Sequence, residues 1–283
     1  MRFVRRSPKL KHFRLHLLIQ NKGPSAAVGH STGLGFNVLD FTQATDPQTA
    51  ALEWMQSDFD TPNNLQQGPL FSFALIQLTP HQFYFYQSFH HLVCDGYSIH
   101  RCALRVAEIY SARIDGNIPA PANFGTFADA LAVENVYATS NQFPRDRQHW
   151  MDMLAETPEP VTIAGQYAPC CDVIRRQTYL PDVTTQSLRE LAHQYQATIP
   201  QLLTTLSAIY LHRMTGQEDL LVGFSMAARM NAILRNTPNM SSNILPLRLT
   251  MTGDTTLAAC LLQAQRQMRS AMRHQSYRGS FVC

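Results

Sequence analysis

Apolar positions along this 283-residue chain alternate between a period of two and a period near 3.6, the marks of strands and helices. Asp46 followed by Pro47 reads as a helix start, with aspartate as cap and proline in the first turn. Ala51, Leu52, Met55 and Phe59 supply its apolar stripe. Residues 71–78 and 83–89 are apolar, aromatic-rich runs around the turn-forming 79–82, which predicts a hairpin. A helix follows over 98–112, through Ile99, Cys102, Ala103, Val106 and Ile109. Gly116, Pro119, Pro121 and Gly125 then interrupt the pattern, before helical periods over 127–137 and 145–154.

Pro158, Pro160, Gly165 and Pro169 mark a break, and a boundary between two subdomains is placed at residue 165. Beyond it, 177–180 reads as a strand and 185–196 as an amphipathic helix. Residues 198–214 are apolar nearly all round, which predicts a buried helix. Strands are predicted over 219–226 and 243–249. Pro246 puts the latter at an edge or crossover, because proline cannot donate to the ladder. An amphipathic helix over 256–274 closes the pattern. Mixed helices and strands in both halves predict an α/β layered fold.

Composition narrows the function classes. The chain is 45% hydrophobic, enough for one large core or two smaller ones. Its net charge of +3 is uneven: residues 1–22 hold seven Lys or Arg and no acid, and the remainder carries 16 basic and 20 acidic residues. A mildly acidic body argues against nucleic acid as a partner. No run reaches the ~20 apolar residues of a membrane helix, and the apolar stretch 15–19 is too short and polar for a signal peptide. Residues 1–29 are read as a basic segment outside the fold. The six cysteines form neither a disulfide framework nor a zinc pattern, which fits free thiols in a cytoplasmic setting.

The densest chemistry lies in His90-His91-Leu92-Val93-Cys94-Asp95-Gly96, between an aromatic strand and a helix. In an extended chain neighbours point to opposite faces. One histidine is therefore structural and the other meets ligand, as a base or hydrogen-bond acceptor worth roughly 10²–10⁴ in rate. Asp95 beside a glycine caps or pairs rather than reacts. Gly96 supplies either unusual backbone angles or close ligand access. A metal site from His90, His91, Asp95 and His100 lacks a helical histidine pair or second cluster, so no metal is assigned. Cys94 reads as a small core residue rather than a nucleophile.

Residues 83–112, centred on HHLVCDG, resemble the condensation domain of nonribosomal peptide synthetases, within the chloramphenicol-acetyltransferase-like acyltransferases. Three further stretches agree in order and spacing: DTPNNLQQGPLF at 60–71, FGTFAD at 124–129 and SNILPLRL at 242–249. The wording YQSFHHLVCDGYS is nearest the siderophore type. The resemblance runs from about residue 30 to about 277.

It implies a two-lobed, V-shaped fold, here 30–165 as a partial N-lobe and 166–283 as a partial C-lobe. It also implies amide formation between an acyl thioester and an aminoacyl amine. Both substrates are presented on the 4'-phosphopantetheine of acyl, aryl or peptidyl carrier domains; adenylation domains are further partners, and no cofactor is bound directly. His91 is then the catalytic residue, as base or as positioner of the amine, and His90, Asp95, Gly96, Arg229 and Asn243 support it. Arg229 matches the family's partner for the aspartate, with Ala228 where a glycine is usual. The family's opening segments and its late R-D-x-S-R-N-P-L segment are missing, so the chain reads as truncated at both ends. A noncatalytic docking remnant and a stand-alone acyltransferase using coenzyme A are the alternatives.

Overall fold

The computed structural model of the protein describes residues 12–20, 23–31, 36–159, 161–163 and 177–278. Two strands, β1 (His12–Gln20) and β2 (Gly23–Ser31), pair antiparallel as a two-stranded sheet, mostly within residues 1–29, the span expected to lie outside the fold. The chain divides into two compact units, Met1–Phe127 with Asn236–Met240, and Ala128–Arg235 with Ser241–Cys283, and both strands belong to the first. The predicted boundary at 165 lies outside the described residues. The units divide at Phe127 instead, because residues 128–153 pack with the second half of the chain: Trp150 is buried among Leu245, Leu247 and Met268.

The first unit is built on a three-stranded sheet, β3 (Phe36–Asp40), β4 (Phe71–Thr79) and β5 (Gln82–Phe89), in that order. The hairpin β4–β5 forms as predicted, antiparallel. β3 went unread in the sequence: it is only five residues long, with Phe36 and Val38 exposed. It runs parallel to β4, and α1 (Pro47–Asp60) makes the crossover. Asp46 caps α1 as expected, accepting from the amides of Gln48 and Thr49.

The stripe of α1 is phased differently from the prediction. Ala51, Trp54 and Met55 meet Ala74, Ile76 and Leu78, whereas Leu52 and Phe59 are exposed. The next position on the buried face is polar: Asp58 accepts hydrogen bonds from Tyr86 Oη (2.8 Å) and Ser72 Oγ (3.2 Å). The other sheet face carries rings in mutual contact, Phe36, Phe73, Phe85 and Phe89. α2 (Gly96–Ile114) leaves β5 through the histidine turn, and its predicted stripe is only partly covered, with Val106 and Ile109 exposed.

The second unit holds α3 (Phe127–Ala138), α4 (Gln142–Met153), α5 (Asp182–Gln194), α6 (Ile199–Thr215), β6 (Asp219–Met226), α7 (Ala232–Asn236), β7 (Asn243–Thr250) and α8 (Leu257–Arg273). Residues 177–180, predicted as a strand, are irregular and exposed, with no strand beside them among the described residues. β6 and β7 pair antiparallel, with Pro246 opposite Gly223, and among the described residues this sheet has two strands, which puts the proline on an edge strand as its missing N–H demands. Leu245, Leu247 and Leu249 alternate inward onto α8. On the other face Arg248 forks onto both Asp219 carboxylate oxygens, Nε donating to Oδ1 and Nη2 to Oδ2. α6 is not buried all round. Leu202 packs with Ala192 of α5 and Leu261 of α8, and Ala208 with Cys260 and Ala264 of α8, while Leu203, Tyr210 and Met214 are exposed. Apolar composition overstated its burial, because Leu203, Tyr210 and Met214 point away from its neighbours among the described residues. Among the described residues no helix is long and apolar enough to cross a membrane.

Candidate functional site

β5 ends at Phe89, and the chain turns tightly over the next four residues. The His90 amide donates to the Leu70 carbonyl (2.9 Å) and the Val93 amide to the His90 carbonyl (3.0 Å). The ring of His90 turns back into this bend. Its Nδ1 accepts from the Leu92 amide at 3.1 Å, which fixes the proton on Nε2. His90 is half-buried; His91, one residue on, is exposed. The two adjacent histidines thus differ in exposure because of a turn rather than strand alternation.

Asp95 is almost wholly buried (1% exposed) and is the N-cap of α2. Its Oδ1 accepts from the Ser98 amide at 2.9 Å and its carbonyl from the Ile99 amide at 2.9 Å. Such a cap contributes about 1 kcal/mol. The helix therefore opens at Gly96, two residues before the predicted start, and its Ser98 amide is turned onto this carboxylate. Gly96 has no positive φ, so, of the two reasons expected for a glycine, unusual backbone angles do not apply. A Cβ there would meet no atom within 4 Å, which leaves open space beside the backbone.

Ser98 was read only as a helix start. It is fully buried, and its hydroxyl donates to the Asn239 carbonyl (2.8 Å) and accepts from the Asn239 amide (3.0 Å). The partners are 141 residues apart, so no spacing rule could find them. Asn239 lies on the short segment that joins the first unit from the far half of the chain.

The other two predicted residues stand in the second unit. Arg229 is buried and donates through Nη1 to the Leu234 carbonyl. Ala228 before it has φ +48°, the left-handed region that glycine enters most easily. Asn243 opens β7 and donates through Nδ2 to the carbonyls of Gln275 (3.0 Å) and Tyr277 (2.6 Å), which ties the strand to the chain after α8.

The same unit holds a polar cluster that sequence reasoning missed. Buried Asp146 on α4 accepts from Tyr137 Oη (2.8 Å) and pairs with His274 Nδ1 (2.7 Å). The His149 ring stacks on His274 at 3.9 Å. Burial, reinforced by the Asp146 carboxylate, pushes the Tyr137 phenol well up. Burial, with His274 adding to it, holds the His149 imidazole below its ordinary range.

Comparison with known proteins decides the family. The condensation-domain model matches residues 5–278, so the match begins inside the basic head. The chain belongs to the condensation-domain family. The domain is 35% identical over 257 residues to a dimodular nonribosomal peptide synthase of Bacillus subtilis (strain 168), covering 90% of this chain and 11% of that protein. It is 36% identical over 243 residues to an isonitrile lipopeptide synthase of Streptomyces coeruleorubidus, covering 86% and 16%. Enterobactin synthase component F of Escherichia coli (strain K12) stands at 28%.

Among solved structures, a mutant starter condensation domain of rhizomide synthetase in complex with C8-CoA superposes with a TM-score of 0.82 at 37% identity, over 95% of this chain and 61% of that one. The first condensation domain of the calcium-dependent antibiotic synthetase, bound to a substrate analogue, gives 0.82 at 30% identity, over 95% and 64%. The fold is therefore the chloramphenicol-acetyltransferase-like fold of condensation domains. The chain spans 11% to 19% of the length of these curated relatives and 61% to 64% of these solved chains.

Proposed function

We propose that the domain forms amide bonds between a carrier-bound acyl thioester and a carrier-bound aminoacyl amine, with His91 at the reacting amine. The observation that carries this reading is the exposed His91 ring, held on a turn whose flanks are spent on structure. His90 and Asp95 have their side chains committed to backbone amides, which leaves His91 as the imidazole available to substrate.

In the reaction, the amine nitrogen attacks the thioester carbonyl carbon, the C–N bond forms and the C–S bond breaks. The amine proton passes to the departing thiolate. An exposed imidazole can take and return that proton, or orient the amine. Open space beside Gly96 suits approach of a pantetheine arm. Asp95, Arg229 and Asn243 serve as supports, on the family pattern and on their burial. Carrier and adenylation domains are the partners, and the substrates ride on phosphopantetheine. Identity of 28% to the enterobactin enzyme against 35–36% to other synthetases gives no ground for a siderophore product, and the reading stops at amide formation.

A second reading, with an acyl-CoA as donor, draws on the C8-CoA complex of the rhizomide synthetase domain. One assay separates them. Product is followed by mass spectrometry with acyl carrier or acyl-CoA as donor and an aminoacyl carrier as acceptor. His91→Ala should lower product about 10²–10⁴-fold with an unchanged melting temperature. Undiminished product in that variant removes His91 from the chemistry.

A further inference from the structure

α2 carries a second polar feature beyond the histidine turn. Arg101 and Arg105, four residues apart and so on one face of the helix, line a cavity of about 230 Å³ walled by Ala120, Asn123 and Phe124, with Glu108 at its edge. Arg105 is well covered: Nη1 pairs with Glu108 at 3.0 Å and Nη2 donates to the Ala120 carbonyl. Its Nε is buried and makes no hydrogen bond among the described residues.

Arg101 is barer. Its guanidinium lies over the Phe124 ring at 5.9 Å, and its buried Nε makes no hydrogen bond among the described residues. A half-buried cation with an orphaned Nε is unfavourable unless something meets it. The ring holds one face of the guanidinium and leaves its hydrogen-bonding edge for a ligand.

We propose that this cavity binds a phosphate-class oxyanion between Arg101 and Arg105. Two guanidinium groups against the single exposed carboxylate of Glu108 leave one positive charge in the cavity. A phosphate, which can carry two negative charges, suits a cavity lined by two guanidinium groups better than a singly charged carboxylate does. The phosphate can be free or can be the phosphoester of a carrier's pantetheine arm; only the second source rests on the function proposed above.

Isothermal titration of the full chain at fixed ionic strength tests it, with inorganic phosphate, 4'-phosphopantetheine and unphosphorylated pantetheine as probes and chloride as the screening control. Phosphate should bind where chloride gives no signal. Arg101→Gln and Arg105→Gln should each weaken binding about tenfold or more, the loss expected for a charged hydrogen-bonding partner. Arg113→Gln, exposed on the same helix outside the cavity, should bind as the parent does. Should Arg101→Gln fail to fold, Arg101→Lys keeps charge and stem, loses the fork, and should still weaken binding several-fold.

Equal affinity for phosphate and 4'-phosphopantetheine identifies the free anion. Tighter binding of 4'-phosphopantetheine, with none of pantetheine, identifies the arm. No phosphate binding above chloride, or binding indifferent to both cavity arginines, overturns the site. Phosphate binding does not depend on turnover, so a failed amide assay and a failed anion site give separate results.

Discussion

At the scale of single residues, Ala228 is the clearest departure from ease. A side-chain-bearing residue in the left-handed region carries a cost of roughly 1–2 kcal/mol against glycine. Glycine recovers part of this and loses some through a freer unfolded chain. Ala228→Gly should therefore stabilise the second unit by about 1 kcal/mol, read as a raised midpoint in urea. A lowered midpoint would show that the methyl group packs usefully. The sequence already pointed here, because the resemblance expects glycine at this position. Asp95 was legible in the same way: an acid before glycine and three residues before serine is a cap pattern. The Ser98–Asn239 exchange was not legible, since a buried serine hydroxyl leaves no trace at a distance in the chain.

At the scale of elements, period and punctuation located most strands and helices, and misjudged what covered them. The face of α1 shows why. Its buried stripe runs Ala51, Trp54, Met55 and then Asp58, and a polar fourth position breaks the apolar pattern that reading relies on. The short β3 and the false strand at 177–180 are the converse: whether a few extended residues become a strand depends on a neighbour, which local sequence does not supply.

The contact between α4 and α8 carries a pH dependence. His149 is depressed by burial first, then by His274, with Arg273 in the same direction and Asp146 and Asp152 opposed. A histidine with a folded value below its unfolded one binds the proton better when unfolded. Its contribution is complete above the unfolded value near 6.5, and is lost as pH falls below that. Melting temperature measured from pH 7.5 to 5.5 should fall more steeply in the parent than in His149→Gln. Parallel slopes would remove His149 as the cause.

At the scale of the whole molecule, two compact units were legible as two halves of alternating elements, but their border was not. Proline and glycine marked the break at 165, whereas packing of Trp150 with Leu245 and Leu247 assigns α4 to the second unit. Turn formers report where the backbone bends, not which core the next helix joins. The segment Asn236–Met240 is the more telling case, since it belongs to the first unit while the chain on either side belongs to the second. Ser98→Ala deletes the hydroxyl that both donates to and accepts from it, and should cost about 1–3 kcal/mol. Amide hydrogen exchange at Asn239 should accelerate accordingly; unchanged protection there would show that other contacts hold the segment.

That excursion bears on how the chain matures on a ribosome. Domains tend to fold as they emerge, amino-terminal part first. Here the earlier unit lacks a strip of its own backbone until synthesis has passed residue 240, and the turn bearing the histidines gains the partner of its neighbouring helix only then. Stalled or shortened translation products would thus expose an unfinished site well after every residue of its loop has been made.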